Sequence, residues 1–138
     1  MMSLKWSSKY SMGSKLIDGH HQTLIDCIND LDRAIEKKET DAAYLEKLAK
    51  KLEAYTQYHF QLEEDYMSRY QYPEIAAHKE EHEAFIAAVR KIKEAVTRDP
   101  QIDGLKLTSY LKTWLIHHIL LIDKEYAIWF QEQGIRLV

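Results

Sequence analysis

Seven histidines in 138 residues are the part of this chain richest in possible chemistry. His59 and Glu63 are four residues apart, and so are His78 and His82. That spacing stacks two side chains on one face of an α-helix, where both can grip one ion. His118 is followed after five residues by Asp123, about 140° around an ideal helix, so Asp123 is expected at the edge of a cluster. The two carboxylates sit on unusual faces. Three and four positions from Glu63 stand His59, Phe60, Tyr66 and Met67; around Asp123 stand Ile119, Leu120, Tyr126 and Ala127. A carboxylate on such a face is costly unless a positive group meets it. Neither lysine nor arginine lies within four positions of Glu63, and Lys124 diverges from the face of Asp123. A metal ion is the economical partner.

Imidazole and carboxylate without thiolate suit iron, manganese, zinc or copper. Five histidines (His21, His59, His78, His82 and His118) and two carboxylates exceed what one ion can use. Two ions that share both carboxylates use all seven groups, three imidazoles on one ion and two on the other. A bridging oxo or hydroxo group then leaves one open coordination position. His20 stands beside His21, and apolar periodicity does not choose between them.

These residues need elements to position them, and helical periodicity runs through the chain. The apolar stripes are Ile17-Leu24-Ile28-Leu31-Ile35, Leu45-Leu48-Leu52-Tyr55-Leu62-Tyr66, Ile75-Phe85-Val89-Ile92-Val96 and Leu107-Leu111-Trp114-Leu115-Ile122-Tyr126-Trp129. They predict helices near 18–38, 41–70, 74–97 and 103–132, with Asp18 as the first N-cap and the last helix ending before Gly134. Short connections make neighbours antiparallel, so the expected fold is all-α, an up-down-up-down four-helix bundle forming a single domain over 1–138. Residues 1–17 form an N-terminal arm laid along the bundle by Trp6 and Tyr10.

In an antiparallel pair, residues equidistant from the connecting turn lie at one height. His21 and His59 are equidistant from Thr40, Glu63 and the His78/His82 pair from Gln71-Tyr72, and His82 and His118 from Pro100. At about 1.5 Å of rise per residue, small errors in the turn centres matter little. All four helices therefore deliver an imidazole to one layer.

Composition removes several other function classes. Hydrophobic residues make up 46% and charged residues 30% of the chain, ordinary for a folded soluble domain. Nineteen basic against 22 acidic residues leave −3, no excess for nucleic acid or an acidic membrane. The run Ile119 to Ile122 is too short to span a bilayer, and the N-terminus lacks a signal peptide's apolar region. One cysteine, Cys27, closes no intrachain disulfide and suits a reducing cytoplasm.

The motifs Ile17-Asp18-x-x-His21, His59-Phe60-x-x-Glu63-Glu64, Tyr72-Pro73, His78-x-x-x-His82 with Phe85, and Trp114-Leu115-x-x-His118-Ile119-x-x-x-Asp123, together with Trp6, span nearly the whole chain. In this order they resemble the hemerythrin family, specifically its single-domain bacterial members. The resemblance implies a non-haem di-iron centre that binds dioxygen reversibly, a carrier, store or delivery protein and not an enzyme. Carried over by position, it puts His78, His82 and His118 on the saturated iron and His21 and His59 on the iron with the open position. Glu63, Asp123 and an oxo or hydroxo group would bridge the two. The family's Asp-x-x-His pattern favours His21 over His20, and His20 stands where the family commonly has glutamine. Ile17, Leu24, Ile25, Leu62, Trp114, Leu115 and Ile122 lie within one turn of these ligands and are expected to form an apolar oxygen pocket. Small anions such as azide would enter at the same open position.

Rival readings account for less. His78-Lys79-Glu80-Glu81-His82 also fits the H-x-x-E-H pattern of zinc metallopeptidases, with Glu81 as general base, but leaves His21, His59 and His118 unexplained. No Glu-x-x-His pair of the ferritin-like type exists. An oxygen, redox or nitric oxide sensor would use the same centre; with no output domain before Val138, a carrier or store is the favoured expectation. His20 and His117 are read as outer or surface groups, and Tyr55, Tyr58, Tyr66 and Tyr70 as core and rim aromatics.

Overall fold

The computed structural model describes residues 4–38, 41–98 and 104–136. Its helices are α1 (Lys15–Glu36), α2 (Ala42–Arg69), α3 (Ile75–Arg98) and a fourth rod. That rod runs as α4 (Leu105–His117), a π-helical turn (His118–Asp123) and α5 (Lys124–Glu132). Helix α1 packs on α2 and α4, and α3 packs on α2 and α4, which closes an antiparallel four-helix bundle. The turn centres Thr40 and Pro100 and the expected helix start at 103 lie outside the described residues. No helix among the described residues is long and apolar enough to cross a membrane.

Local chemistry sets the helix ends. Helix α1 begins earlier than Asp18 predicts, because the Ser14 hydroxyl caps it by accepting from the Ile17 backbone N–H at 3.2 Å. Asp18 turns back instead, accepting from Ser11 Oγ at 2.6 Å and the Met12 N–H at 2.7 Å, and so fastens the arm. The arm is also tied at Leu4, whose N–H and C=O both bond the Asn29 side chain, at 2.9 and 2.7 Å. Trp6 and Leu4 then pack on the core. Asp41 caps α2 through the Ala43 N–H. The α2 terminus is a Schellman turn: Tyr72 N–H reaches Met67 O at 2.8 Å and Gln71 N–H reaches Ser68 O at 3.3 Å. Gln71 adopts φ 57° there, in the left-handed region, and Gly134 plays that part after α5 at φ 73°.

The apolar interior is split in two. One core gathers Leu24, Ile25, Ile28, Leu31, Leu52, Phe60, Phe85, Val89, Leu111, Leu115 and Ile119. The other holds Met12, Ile17, Met67, Tyr72, Tyr126 and Phe130. Along every helix the break between them falls at the histidine and carboxylate positions, so a buried polar layer separates two hydrophobic layers.

Candidate metal centre

Helix α1 brings His21 to this layer, α2 His59 and Glu63, α3 His78 and His82, and the π-helical turn His118 and Asp123. All seven are at most 2% exposed. Glu63, His78, His82, His118 and Asp123 converge with one ligand atom each inside 4.8 Å, and His21, His59 and Glu63 do so beside them. Each carboxylate faces both groups. Asp123 Oδ1 lies 2.9 Å from His118 Nε2 and 3.1 Å from His78 Nε2, while its Oδ2 lies 3.1 Å from His21 Nε2. Glu63 Oε1 stands 3.3 Å from both His59 Nε2 and His82 Nε2. Glu81 belongs to neither group among the described residues.

The five-residue step from His118 to Asp123 is explained by the π-helical turn. In a π-helix the backbone ring closes at i→i+5, so residues five apart lie nearly above one another. The edge position expected for Asp123 on an ideal α-helix is thereby replaced by a central one, at 0% exposure.

The polar atoms of this layer pose a problem that a cation solves. His21 Nε2, His78 Nε2, His82 Nε2, His118 Nε2, Glu63 Oε1 and both Asp123 oxygens are buried without a hydrogen-bond partner among the described residues. Such orphans are rare in folded proteins, and here they all face one another. They are close in distance yet make no hydrogen bond of acceptable geometry, as expected of lone pairs aimed at a common space. Imidazole nitrogen and carboxylate oxygen suit transition metals, so the residues fit a metal centre.

Electrostatics agrees. Burial and the Asp123 charge push the Glu63 carboxyl up, but histidine contacts outweigh both and hold it well below the usual carboxylate range. Asp123 is likewise pushed up by burial and pulled well below its usual range by His118, His21 and His78. Burial lowers His59, and the opposing pull of Glu63 does not offset it. Burial also lowers His21 and His82, but Asp123 raises the first and Glu63 with Glu64 the second, leaving both above the ordinary histidine value.

Several contacts around the layer have no simple sequence signature. Tyr126 Oη donates to Glu63 Oε2 at 2.5 Å. Burial, then the charges of Glu63 and Asp123, raise its phenol well above the ordinary value, so it remains a donor. In the sequence Tyr126 is one more residue of an apolar stripe; its position three residues after Asp123 is the only hint. Glu64 bonds His82 Nδ1 at 2.8 Å, and Phe60 stacks on the His82 ring at 3.7 Å and 3°. Trp114 stacks on His118 at 4.5 Å and 12°. His20 is buried but points outside the cluster, its Nδ1 2.9 Å from His59 Nδ1. Of the residues expected to line an oxygen pocket, Leu24, Ile25 and Leu115 lie in one core and Ile17 in the other. Trp114, Leu62 and Ile122 are half-buried, and Leu62 and Ile122 join neither core. His117 is exposed.

Comparison with known proteins bears on the same residues. The family model described as the hemerythrin HHE cation binding domain matches residues 12–129. A protein named Bacteriohemerythrin from Stenotrophomonas maltophilia (strain R551-3) is 31% identical over 127 residues, covering 92% of this chain and 81% of its own length. Another Bacteriohemerythrin, from Clostridium acetobutylicum, is 30% identical over 129 residues, covering 88% of this chain and 96% of its own. The crystal structure of a wild-type hemerythrin shares the fold at a TM-score of 0.79 and 23% identity, covering 92% of this chain and 97% of that one. The histidine and carboxylate layer of this chain and its family match together support a non-haem iron centre, and the chain belongs to the hemerythrin family.

Proposed function

We propose that this chain takes up and releases dioxygen at a non-haem di-iron centre, as a carrier or store. On this reading His78, His82 and His118 hold one iron, His21 and His59 hold the other, and Glu63 and Asp123 bridge them. The observation that carries it is the set of buried, unpartnered imidazole and carboxylate atoms facing one space in two adjoining groups of ligands. Two iron ions there, with a bridging oxo or hydroxo group, would supply reducing electrons and one open coordination position.

The protein's own groups do the rest. Neutral imidazoles offer Nε2 lone pairs inward, and the two ionised carboxylates offset metal charge inside a medium that water does not screen. Tyr126 Oη donates its proton in a hydrogen bond to the ionised Glu63 Oε2, which leaves Oε1 turned toward His59 and His82. Coordination arithmetic gives the open position to the iron beside His21 and His59. The buried side chains of Ile17, Leu24, Ile25 and Leu115 lie within one turn of the layer and keep it dry, which slows entry of water and anions. Trp114 covers His118 from outside. Small anions such as azide are expected to compete for the open position when the centre is oxidised. The lone Cys27 is buried and suits a cytoplasmic setting.

The test is a set of oxygenation cycles. Protein loaded anaerobically with iron(II) should develop a visible charge-transfer spectrum in oxygen and lose it under vacuum, repeatedly. One-way oxidation on first contact with oxygen, with no reversible phase at any temperature, would refute the reading.

A further inference from the structure

We infer that His20 is a positioning residue for His59: its Nδ1 accepts the His59 Nδ1–H, which fixes the His59 tautomer and turns the Nε2 lone pair toward Glu63 and the metal. The inference rests on the proposed metal centre. His20 and His59 bring Nδ1 atoms to 2.9 Å, with rings at 74° and centroids 5.1 Å apart. Two neutral imidazoles at that distance must share one proton, one donating and one accepting. His59 Nε2 lies 3.3 Å from Glu63 Oε1, at the centre of the layer, and can serve a metal only as a bare lone pair. Its proton therefore sits on Nδ1, and His20 is the acceptor. The remaining proton of His20 is then on its Nε2.

His20 is built to stay in place. It is 6% exposed, and its ring is fenced by Tyr55 at 5.6 Å and Tyr58 at 5.3 Å between centroids. A histidine here is not interchangeable with a packing residue, because the His59 N–H would be left buried without an acceptor. The two sides of the layer differ in kind. On the three-histidine side a carboxylate, Glu64, meets His82 Nδ1 at 2.8 Å; on the two-histidine side the corresponding outer partner is an imidazole. Outer partners of metal-bound histidines set ring orientation, and their loss typically costs about 10- to 100-fold in metal affinity.

The experiment is anaerobic titration of the metal-free full-length chain with iron(II), followed by chelator competition, for wild type, His20→Phe, His20→Leu and His20→Gln. Phenylalanine and leucine fill space without accepting a hydrogen bond, whereas the glutamine carboxamide oxygen can accept one. Wild type should bind two irons per chain. His20→Phe and His20→Leu should keep one iron at near wild-type affinity and hold the second about 10- to 100-fold more weakly. His20→Gln should restore the second to within a few-fold. Melting of each metal-free variant reports folding separately, and His20→Leu carries the test if His20→Phe does not fold. Wild-type affinity for both irons in the folded acceptor-free variants would overturn the inference, as would equal loss in His20→Gln, which would mean packing alone. A wild-type chain that takes up no iron would overturn the di-iron reading itself, and this inference with it.

Discussion

Replacing Lys112 with methionine should destabilise the metal-free protein by about 3 kcal/mol, toward the lower end of the cost of breaking a buried ion pair. Lys112 Nζ donates to Asp32 Oδ2 at 2.6 Å, and Thr108 Oγ1 donates to Asp32 Oδ1 at 2.7 Å. Both charged residues are buried, Asp32 at 1% and Lys112 at 7% exposure. Methionine keeps most of the lysine stem's packing, so the loss is electrostatic. Thr108 still serves one carboxylate oxygen, and that hydrogen bond to a charged group holds the cost near the lower limit. This clamp and the metal layer share one register. Asp32 is eleven residues beyond His21, and Lys112 is eleven residues before Asp123, so the same antiparallel alignment of α1 with the fourth rod sets both. The clamp lies about 16 Å along α1 from His21, far enough to leave the iron ligands intact. Urea unfolding of metal-free protein, followed by far-UV circular dichroism, measures the cost without metal linkage. The double variant Asp32→Leu/Lys112→Met should recover to within about 1 kcal/mol of wild type, since an apolar pair replaces the ionic one. Thr108 keeps its second acceptor, Leu105 O at 3.1 Å. A single variant losing under about 1 kcal/mol, or a double variant no better than the single, would refute the reasoning.

Other outcomes follow from the same structure. His21→Ala should abolish binding of one iron, whereas His20→Ala should weaken it only; iron assays after dialysis that gave the reverse ranking would exchange their roles. Leu115→Ala should cost about 2–5 kcal/mol and speed autoxidation of the loaded protein without removing iron, read as unfolding free energy and as decay of the oxygenated spectrum. Glu53 joins α2 to α3 through Lys93 at 2.9 Å and Arg90 at 3.3 Å. The Lys93 hydrogen bond outweighs burial and, with Arg90, holds its carboxyl below the ordinary value. A depressed carboxyl contributes stability that is present above its unfolded pKa and lost as pH falls through the folded one. Wild type should therefore exceed Glu53→Gln by about 0.5–1 kcal/mol at neutral pH, with the gap closing in acid. A gap unchanged from neutral pH to acid would contradict that assignment.

How far the sequence went depends on which structural rule each residue obeys. The pairs His59/Glu63 and His78/His82 were legible because an α-helix repeats every 3.6 residues, and the shared height of four helices was legible because antiparallel neighbours share a turn. Asp123 broke the first rule, since a π-helical turn cannot be read from Ile119-Leu120-Leu121-Ile122, which an α-helix would accept equally well. Ser14 rather than Asp18 caps α1 because Asp18 is drawn off by Ser11 and Met12, a tertiary contact that local spacing does not reveal. Tyr126 looked like core because a phenol on an apolar stripe hides its one polar atom; only the fold shows Glu63 at its tip. Leu62 and Ile122 belong to amphipathic stripes by period, yet the bundle's packing leaves them half-buried and outside both cores.

The central claim is that this layer holds two irons and that the open position lies beside His21 and His59. X-ray diffraction at the iron edge from crystals of the oxidised, iron-loaded protein soaked in azide tests it directly. The account predicts two anomalous peaks per chain, one among His78, His82 and His118 and one beside His21 and His59, with azide on the latter. A single peak, or azide on the iron held by His78, His82 and His118, would contradict it.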